Sequence, residues 1–262
     1  MKKNHILIFL AVIIFAGLFW VLFGNLRKQE GPINTSPSPT AQTFPSVKQV
    51  EIKEVTEKYE VSVKYPQFQG LSNPQAENNA NDFLEKDAKD YVASFIQIST
   101  SQDFLSELDL KSFLSVGYEV VSLNNSFTSI KLDNSEYAAG AAHPNSFYTT
   151  FNYNFKDNKQ IVLEDLFNPR SDFLPTISAL CKQGLKNQLE SQGAYSEDWV
   201  NSGLEAKQSN FSNFTLDKEK ITFIFNSYQV APYAAGPQSI SIPYGKLKDL
   251  NDKSASLKII TE

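Results

Sequence analysis

Residues 58–65 alternate strictly, with Tyr59, Val61, Val63 and Tyr65 set against Lys58, Glu60, Ser62 and Lys64. A period of two predicts a strand with one buried face. Pro66 and Gly70 end it. Asn73 and Pro74 then carry the signature of a helix start, an Asn cap followed by Pro at the first helical position. Ala76, Ala80, Phe83, Leu84, Ala88, Tyr91, Phe95 and Ile98 follow at helical spacing. Asn81, Asp82, Glu85, Lys86, Lys89 and Asp90 occupy the other face, which predicts an amphipathic helix lying on a sheet. Residues 117–123 and 127–132 read as a hairpin turning at Asn124-Asn125. Phe147, Thr149, Phe151, Tyr153 and Phe155 share a face in the strongest strand pattern of the chain, and Asp157-Asn158 makes the next turn. Residues 161–167 are expected as a short strand and then a corner. Ser171 is expected to cap a second helix, with Pro175 tolerated in its first turn and Leu174, Ile177, Cys181, Leu185 and Gln188 along one stripe. A third, shorter helix starts at Ser196 and carries Trp199, and residues 221–225 and 238–244 are late strands. Runs of each type without regular βαβ alternation predict an α+β fold. The expected architecture is an antiparallel sheet packed against amphipathic helices, with two lobes sharing one domain.

The N-terminus has a different pattern. Residues 6–23 hold no charge and no strongly polar group. At about 1.5 Å per residue this run is about 27 Å long, close to the ~30 Å hydrocarbon thickness of a bilayer. Lys2 and Lys3 precede it, Arg27 and Lys28 come after it, and the weak bias leans towards an N-terminus inside the cell. A cleavable signal peptide would have a shorter apolar core and small residues at its end, whereas this run ends Trp20-Val21-Leu22-Phe23-Gly24-Asn25. The expected organisation is a cytoplasmic tail at 1–5, a single transmembrane helix in the lipid bilayer at 6–23, and a Pro/Ser/Thr-rich linker at 24–47. An N-terminal α/β subdomain at 48–135, a C-terminal subdomain at 136–250 and a tail at 251–262 complete it. The linker holds Pro32, Pro37, Pro39 and Pro45 among Ser and Thr, a composition that builds no core and favours extended chain. The folded domain is thereby placed outside the cytoplasm, on a single-pass cell-membrane protein.

Composition narrows the function classes. Of the 262 residues, 24 are basic and 29 acidic, so the basic excess that phosphate neutralisation demands is missing and no nucleic-acid partner is expected. The single cysteine, Cys181, closes no loop within the chain. The two histidines are His5, beside the apolar run, and His143. One His and one Cys do not furnish a zinc site, so no metal and no cofactor is expected. Cys181 lies on an apolar helical stripe, which disfavours a Cys–His nucleophile, and no nucleophile-elbow sequence accompanies His143. Glu164 and Asp165 are adjacent and on a strand would point to opposite faces, while Glu197 and Asp198 open a helix, where acids favour the dipole. No catalytic residue is therefore assigned and the protein is expected not to be an enzyme. A carboxylate-dependent envelope hydrolase and a structural or assembly partner of another membrane protein remain alternative readings.

Two short segments repeat. Tyr137-Ala138-Ala139-Gly140 recurs as Tyr233-Ala234-Ala235-Gly236, the first continuing to Ala141-Ala142-His143-Pro144-Asn145 and the second framed by Ala231-Pro232 and Pro237. Both lie between strands and combine small residues with a Tyr and a Pro. They read either as tight structural corners or as two loops meeting at one end of the sheet to form a ligand-binding surface of Tyr137, His143, Asn145 and Tyr233.

These segments resemble a bacterial extracytoplasmic family of unknown function. It is found in a lysozyme-binding, membrane-bound anti-sigma factor and in the N-terminal region of a peptidoglycan deacetylase. Tyr65-Pro66 to Gly70-Leu71, with Asn79 and Phe83 on the adjoining helix, is similar to the N-terminal part of that family. Gly140-Ala141-Ala142-His143-Pro144-Asn145 resembles its glycine–alanine–histidine–proline loop, although Ala141 stands where a second Gly is usual. Leu163-Glu164-Asp165-Leu166-Phe167, the segment from Tyr228 to Pro237, and Ile242-Pro243-Tyr244 match its later motifs in order. The resemblance implies a mixed α/β fold and an extracytoplasmic binding module of the cell envelope. Its expected partner is peptidoglycan, another envelope glycan or a lysozyme-like protein.

Overall fold

The computed structural model describes residues 44–100, 110–247 and 255–261. The expected tail 1–5, the transmembrane helix 6–23 and most of the linker lie outside these residues. Among the described residues, no helix is long and apolar enough to cross a membrane.

The first sheet has six strands in sequential order: β1 (Ser46–Val55), β2 (Tyr59–Gln69), β3 (Ser112–Leu123), β4 (Phe127–Tyr137), β5 (Asn145–Asn154) and β6 (Lys159–Gln160). Between β2 and β3 runs helix α1 (Pro74–Thr100). Asn73 caps it, its Oδ1 accepting from Ala76 N–H (3.2 Å) while its Nδ2 donates to Phe155 C=O (2.9 Å). Ala76, Ala80, Leu84, Ala88, Val92 and Phe95 are buried against Tyr59, Val61, Val63, Tyr65 and Phe68 of β2. Alanine at three of these positions lets the helix backbone lie close to the sheet. The helix also carries the chain across the sheet, so β2 and β3 pair in parallel, an exception within the antiparallel sheet that the sequence pattern predicts. The Asn124 turn forms as expected, with Oδ1 accepting from Ser126 N–H (2.7 Å) and Phe127 N–H (2.9 Å).

The second sheet is antiparallel and has three strands, β7 (Phe214–Leu216), β8 (Lys220–Phe225) and β9 (Gln238–Pro243). With α2 (Leu174–Ser191), α3 (Glu197–Gly203) and α4 (Ala255–Thr261) it builds a second core. Helix α2 buries Ile177, Cys181, Leu185 and Leu189. Ser171 does not cap it. The helix begins at Leu174 with Phe173 at the cap position and no side-chain cap hydrogen bond. Phe173 is buried and stacks on Phe167 with ring centroids 4.1 Å apart, so apolar packing sets where this helix starts. Of the short strand and corner expected at 161–167, the corner forms as a 3-10 turn over Leu163–Leu166, and residues 161–162 form no strand. The expected tail contains α4, whose Leu257, Ile259 and Ile260 are buried in the second core. The expected boundary at 135/136 falls inside β4, so the two lobes share that strand. Phe127 of β4 packs in the second core and Ile130 in the first.

Besides Phe127, the lobes are joined by polar contacts. One face of β5, carrying Phe151 and Tyr153, belongs to the first core. From the opposite face of the sheet, side chains of β4 and β5 reach the backbone of β7. Ser129 Oγ accepts from Leu216 N–H (2.9 Å), Thr150 Oγ1 accepts from Phe214 N–H (3.2 Å), and Asn152 Nδ2 donates to Phe214 C=O (2.8 Å). Beyond β6 the outer edge of β5 is open, and two asparagines close it. Asn226 accepts from Tyr148 N–H (2.8 Å) and donates to Tyr148 C=O (3.0 Å), and Asn213 donates to that same oxygen (3.0 Å). Ser129 is fully buried, so Ser129→Ala leaves the Leu216 N–H without a partner in a dry site. It is expected to cost about 1–3 kcal/mol in urea unfolding, against about 0.5 kcal/mol or less for the exposed control Ser115→Ala.

Candidate functional site

The two repeated segments form loops that meet. The first joins β4 to β5 and turns at Gly140 (φ 85°), where Ala141 N–H donates to Ala138 C=O (2.9 Å). The second joins β8 to β9. It makes a 3-10 turn over Tyr233–Ala235 and leaves through Gly236 (φ 69°). Tyr233 reaches across to the first loop, its hydroxyl donating to Pro144 C=O (3.1 Å). His143 Nδ1 also donates to Pro144 C=O (2.8 Å), which fixes the imidazole against the tyrosine. The His143 and Tyr233 rings stack with centroids 4.3 Å apart at 29°, and Tyr228 stacks on Tyr233 at 5.4 Å and 30°.

Of the four expected site residues, the structure brings His143 and Tyr233 together. Tyr137 and Asn145 lie at the neck of the first loop. Tyr137 stacks on Phe113 (5.8 Å), and Asn145 Nδ2 donates to Glu136 Oε1 (3.0 Å). The other oxygen of Glu136 accepts from Tyr91 of α1 (2.8 Å). Burial, and then this carboxylate, push the Tyr91 phenol well above its ordinary range. This neck anchors the loop to the helix, with His143 further along the loop.

Tyr228 joins this stack, although the sequence pattern does not single it out. The residue is 55% exposed, and its backbone sits at φ 69°, a region unfavourable for a bulky side chain. Its neighbours hold it there. Val230 and Ala231 are buried, and Gln229 Nε2 donates to Gly203 C=O (3.3 Å) and Asn210 C=O (3.1 Å). The sequence signal for Tyr228 was its place in the same short segment as Tyr233.

Other candidate chemistry is held in structural roles. Cys181 is fully buried, and burial pushes its thiol from 9.0 up to about 12. Asp165 is tied by Lys159 (2.9 Å) and accepts from Val162 N–H (3.1 Å). Glu197 and Asp198 lie in the first turn of α3. Among the described residues, no group of three His, Cys, Asp or Glu side chains is placed to hold a metal ion.

Residues 164–245 match the family described as protein of unknown function DUF3298. That stretch of the chain is similar to the DUF3298 proteins. Residues 52–146 match a second family, described as Deacetylase PdaC. Over 249 residues the chain is 26% identical to peptidoglycan-N-acetylmuramic acid deacetylase PdaC of Bacillus subtilis, covering 95% of this chain and 50% of that protein. It thus spans about half the length of that relative. Over 204 residues it is 27% identical to anti-sigma-V factor RsiV of Bacillus subtilis, covering 77% of this chain and 68% of that protein. A solved DUF3298-family structure from Bacteroides fragilis superposes with a TM-score of 0.65 at 16% identity, over 84% of this chain and 98% of that one. That likeness is one of fold. The ring stack forms where the two matched regions meet, with His143 from the PdaC-like region and Tyr228 and Tyr233 from the DUF3298 region.

Two outcomes are expected. A Cβ at Gly203 would lie 1.9 Å from the Gln229 carbonyl oxygen, so Gly203→Ala displaces the backbone that carries Tyr228. It is expected to lower stability by about 1–3 kcal/mol in urea unfolding, whereas Gly245→Ala, with open space around it, is tolerated. Cys181 is expected to resist labelling by a thiol reagent in the native protein at pH 8 and to react fully after unfolding in urea. Labelling of the folded chain at the rate of a free thiol would contradict the burial.

Proposed function

We propose that the folded part of this protein is a recognition module of the bacterial cell envelope that binds without catalysing a reaction. In this reading, residues 6–23 anchor it in the cell membrane with the N-terminus inside. The Pro/Ser/Thr-rich linker lifts it from the bilayer on the extracytoplasmic side. Its partner is peptidoglycan, another envelope glycan or a lysozyme-like protein. The names of the two Bacillus relatives support a place in envelope biology, one a peptidoglycan deacetylase and the other an anti-sigma factor.

The observation that carries the binding role is the stack of Tyr228, Tyr233 and His143 on two meeting loops. Aromatic rings with polar tips supply large contact area at little conformational cost, and they suit sugar faces and protein surfaces alike. The stack is held from behind by buried residues and by backbone hydrogen bonds, so it is organised before any partner arrives. The left-handed backbone at Tyr228 is strain kept at a position where a side chain is displayed, a pattern that accompanies ligand clamps.

The test is a pull-down and a calorimetric titration of the full chain in detergent micelles, against purified peptidoglycan and against lysozyme. Binding to one of the two is expected. Tyr233→Ala is expected to weaken it by about 2 kcal/mol or more, as a central anchor does. Tyr228→Gly is expected to weaken it too, with stability changed by about 1 kcal/mol or less, because glycine accepts φ 69°. A folded chain that binds neither material, or binding indifferent to both substitutions, would remove the basis of this reading.

A further inference from the structure

A cleft of about 410 Å³, lined by none of the three stacked rings, opens between the two sheets. Its volume is in the range of small-molecule sites, about 300–1,000 Å³. Facing sheets ordinarily meet through apolar side chains. Here most of the apolar side chains lie on the other sides of the strands, and Val121, Ile224 and Pro237 are the apolar members of the lining. Strand β8 turns Ile221, Phe223 and Phe225 into the second core and presents Lys220, Thr222 and Ile224 to the cleft. Strand β5 turns Phe151 and Tyr153 into the first core and presents Tyr148 to the cleft. A bulge interrupts the β3–β4 pairing between Val120 and Ser122, and Val121 lines the cleft beside it.

The charges on the walls cancel. On the large-sheet wall Lys131 pairs with Glu119 (2.6 Å) and lies 5.3 Å from the centre of the Tyr148 ring. On the small-sheet wall Lys220 lies 3.6 Å from Asp217. Asp217 Oδ1 also accepts from the N–H groups of Glu219 (2.8 Å) and Lys220 (2.9 Å), which commits that carboxylate to its turn. Two lysines and two carboxylates thus select neither an anion nor a cation. Gln238 is committed to Gln188 and to two backbone carbonyls, so what remains is the hydroxyl groups of Thr215, Thr222, Ser239 and Ser241, which both donate and accept, beside the Tyr148 ring and a few apolar side chains. Thr222 and Ser241 are cross-strand partners whose hydroxyls lie 2.9 Å apart, and either can turn towards a ligand. A neutral, hydroxyl-rich ligand with apolar ring faces matches this lining.

We propose that the cleft between the sheets is a second binding site and that it takes a saccharide. The site uses no residue of the ring stack, so it stands whether or not the loops bind a partner. The carboxylates in it are neutralised by lysines, and it holds sugar rings rather than cleaving them.

The test is a calorimetric titration of the full chain in detergent micelles with two trisaccharides, chitotriose and cellotriose. Parallel arms use trialanine as a zwitterionic peptide and the Tyr233→Ala chain. Millimolar or tighter binding of a trisaccharide is expected, and it is expected to persist in Tyr233→Ala. The double variant Thr222→Val/Ser241→Ala removes both members of an exposed hydroxyl pair at once, which leaves the fold intact. It is expected to weaken binding by about tenfold or more, the effect of losing two hydrogen bonds. Tyr148→Ala is expected to do likewise. Saccharide binding lost in Tyr233→Ala but kept in the double variant would move the site to the loops and overturn the proposal. So would absence of saccharide binding to the folded chain, or preference for trialanine.

Discussion

The arrangement of this protein depends on a polar seam between its two lobes. Ser129, Thr150 and Asn152 come from the six-stranded sheet and take up the backbone groups of a three-residue strand, β7. Asn213 and Asn226 return the contact by closing the edge of β5 at Tyr148. Hydrogen bonds are directional, and a buried donor left unpaired is costly, so each of these contacts specifies a register as well as a proximity. An apolar seam would tolerate sliding. This one fixes the small sheet over the large one, and with it the loops that extend from both.

The ring stack and the cleft both derive from that fixed relation. The ring stack needs the β4–β5 loop and the β8–β9 loop at one distance, because Tyr233 must reach Pro144 while its ring meets His143. The cleft needs the two sheets to touch at β7 and then diverge, leaving polar walls that do not collapse on one another. A single set of buried and half-buried Asn, Ser and Thr side chains accomplishes both. The first lobe contributes rigidity. Helix α1 clamps β2 through small residues, and its Tyr91 holds the neck of the first loop through Glu136.

The backbone at Tyr228 shows how this rigidity is used. A tyrosine at φ 69° persists because the next three residues are over-determined. Val230 and Ala231 are buried, Gln229 is bonded at two carbonyls, and Gly203 allows the chain to cross α3 at a distance no side chain permits. Preorganised aromatic groups of this kind lose little freedom on binding.

Much of the fold was legible in the sequence, because local patterns encode it. Strict alternation marked β2 and β5, Asn73-Pro74 marked the start of α1, Asn124 marked the hairpin turn, and Ser196 marked α3. These are decided by periodicity and by side-chain-to-backbone bonds over a few residues. Helix α2 was placed correctly but for its start, which stacking of Phe173 on Phe167 decided rather than Ser171. The parallel pairing of β2 with β3, the short strand β7 and the helix α4 were not legible, since each exists through partners distant in the chain. The repeated Tyr-Ala-Ala-Gly segments and His143 pointed to a site, and two of its four expected residues do meet. That Tyr137 and Asn145 serve the neck, that Tyr228 joins the stack, and that polar residues of the two sheets face one another across a cleft were decided only by tertiary structure. Sequence determines which face of a strand is apolar; the partner of its polar face is set by packing and hydrogen bonding between lobes.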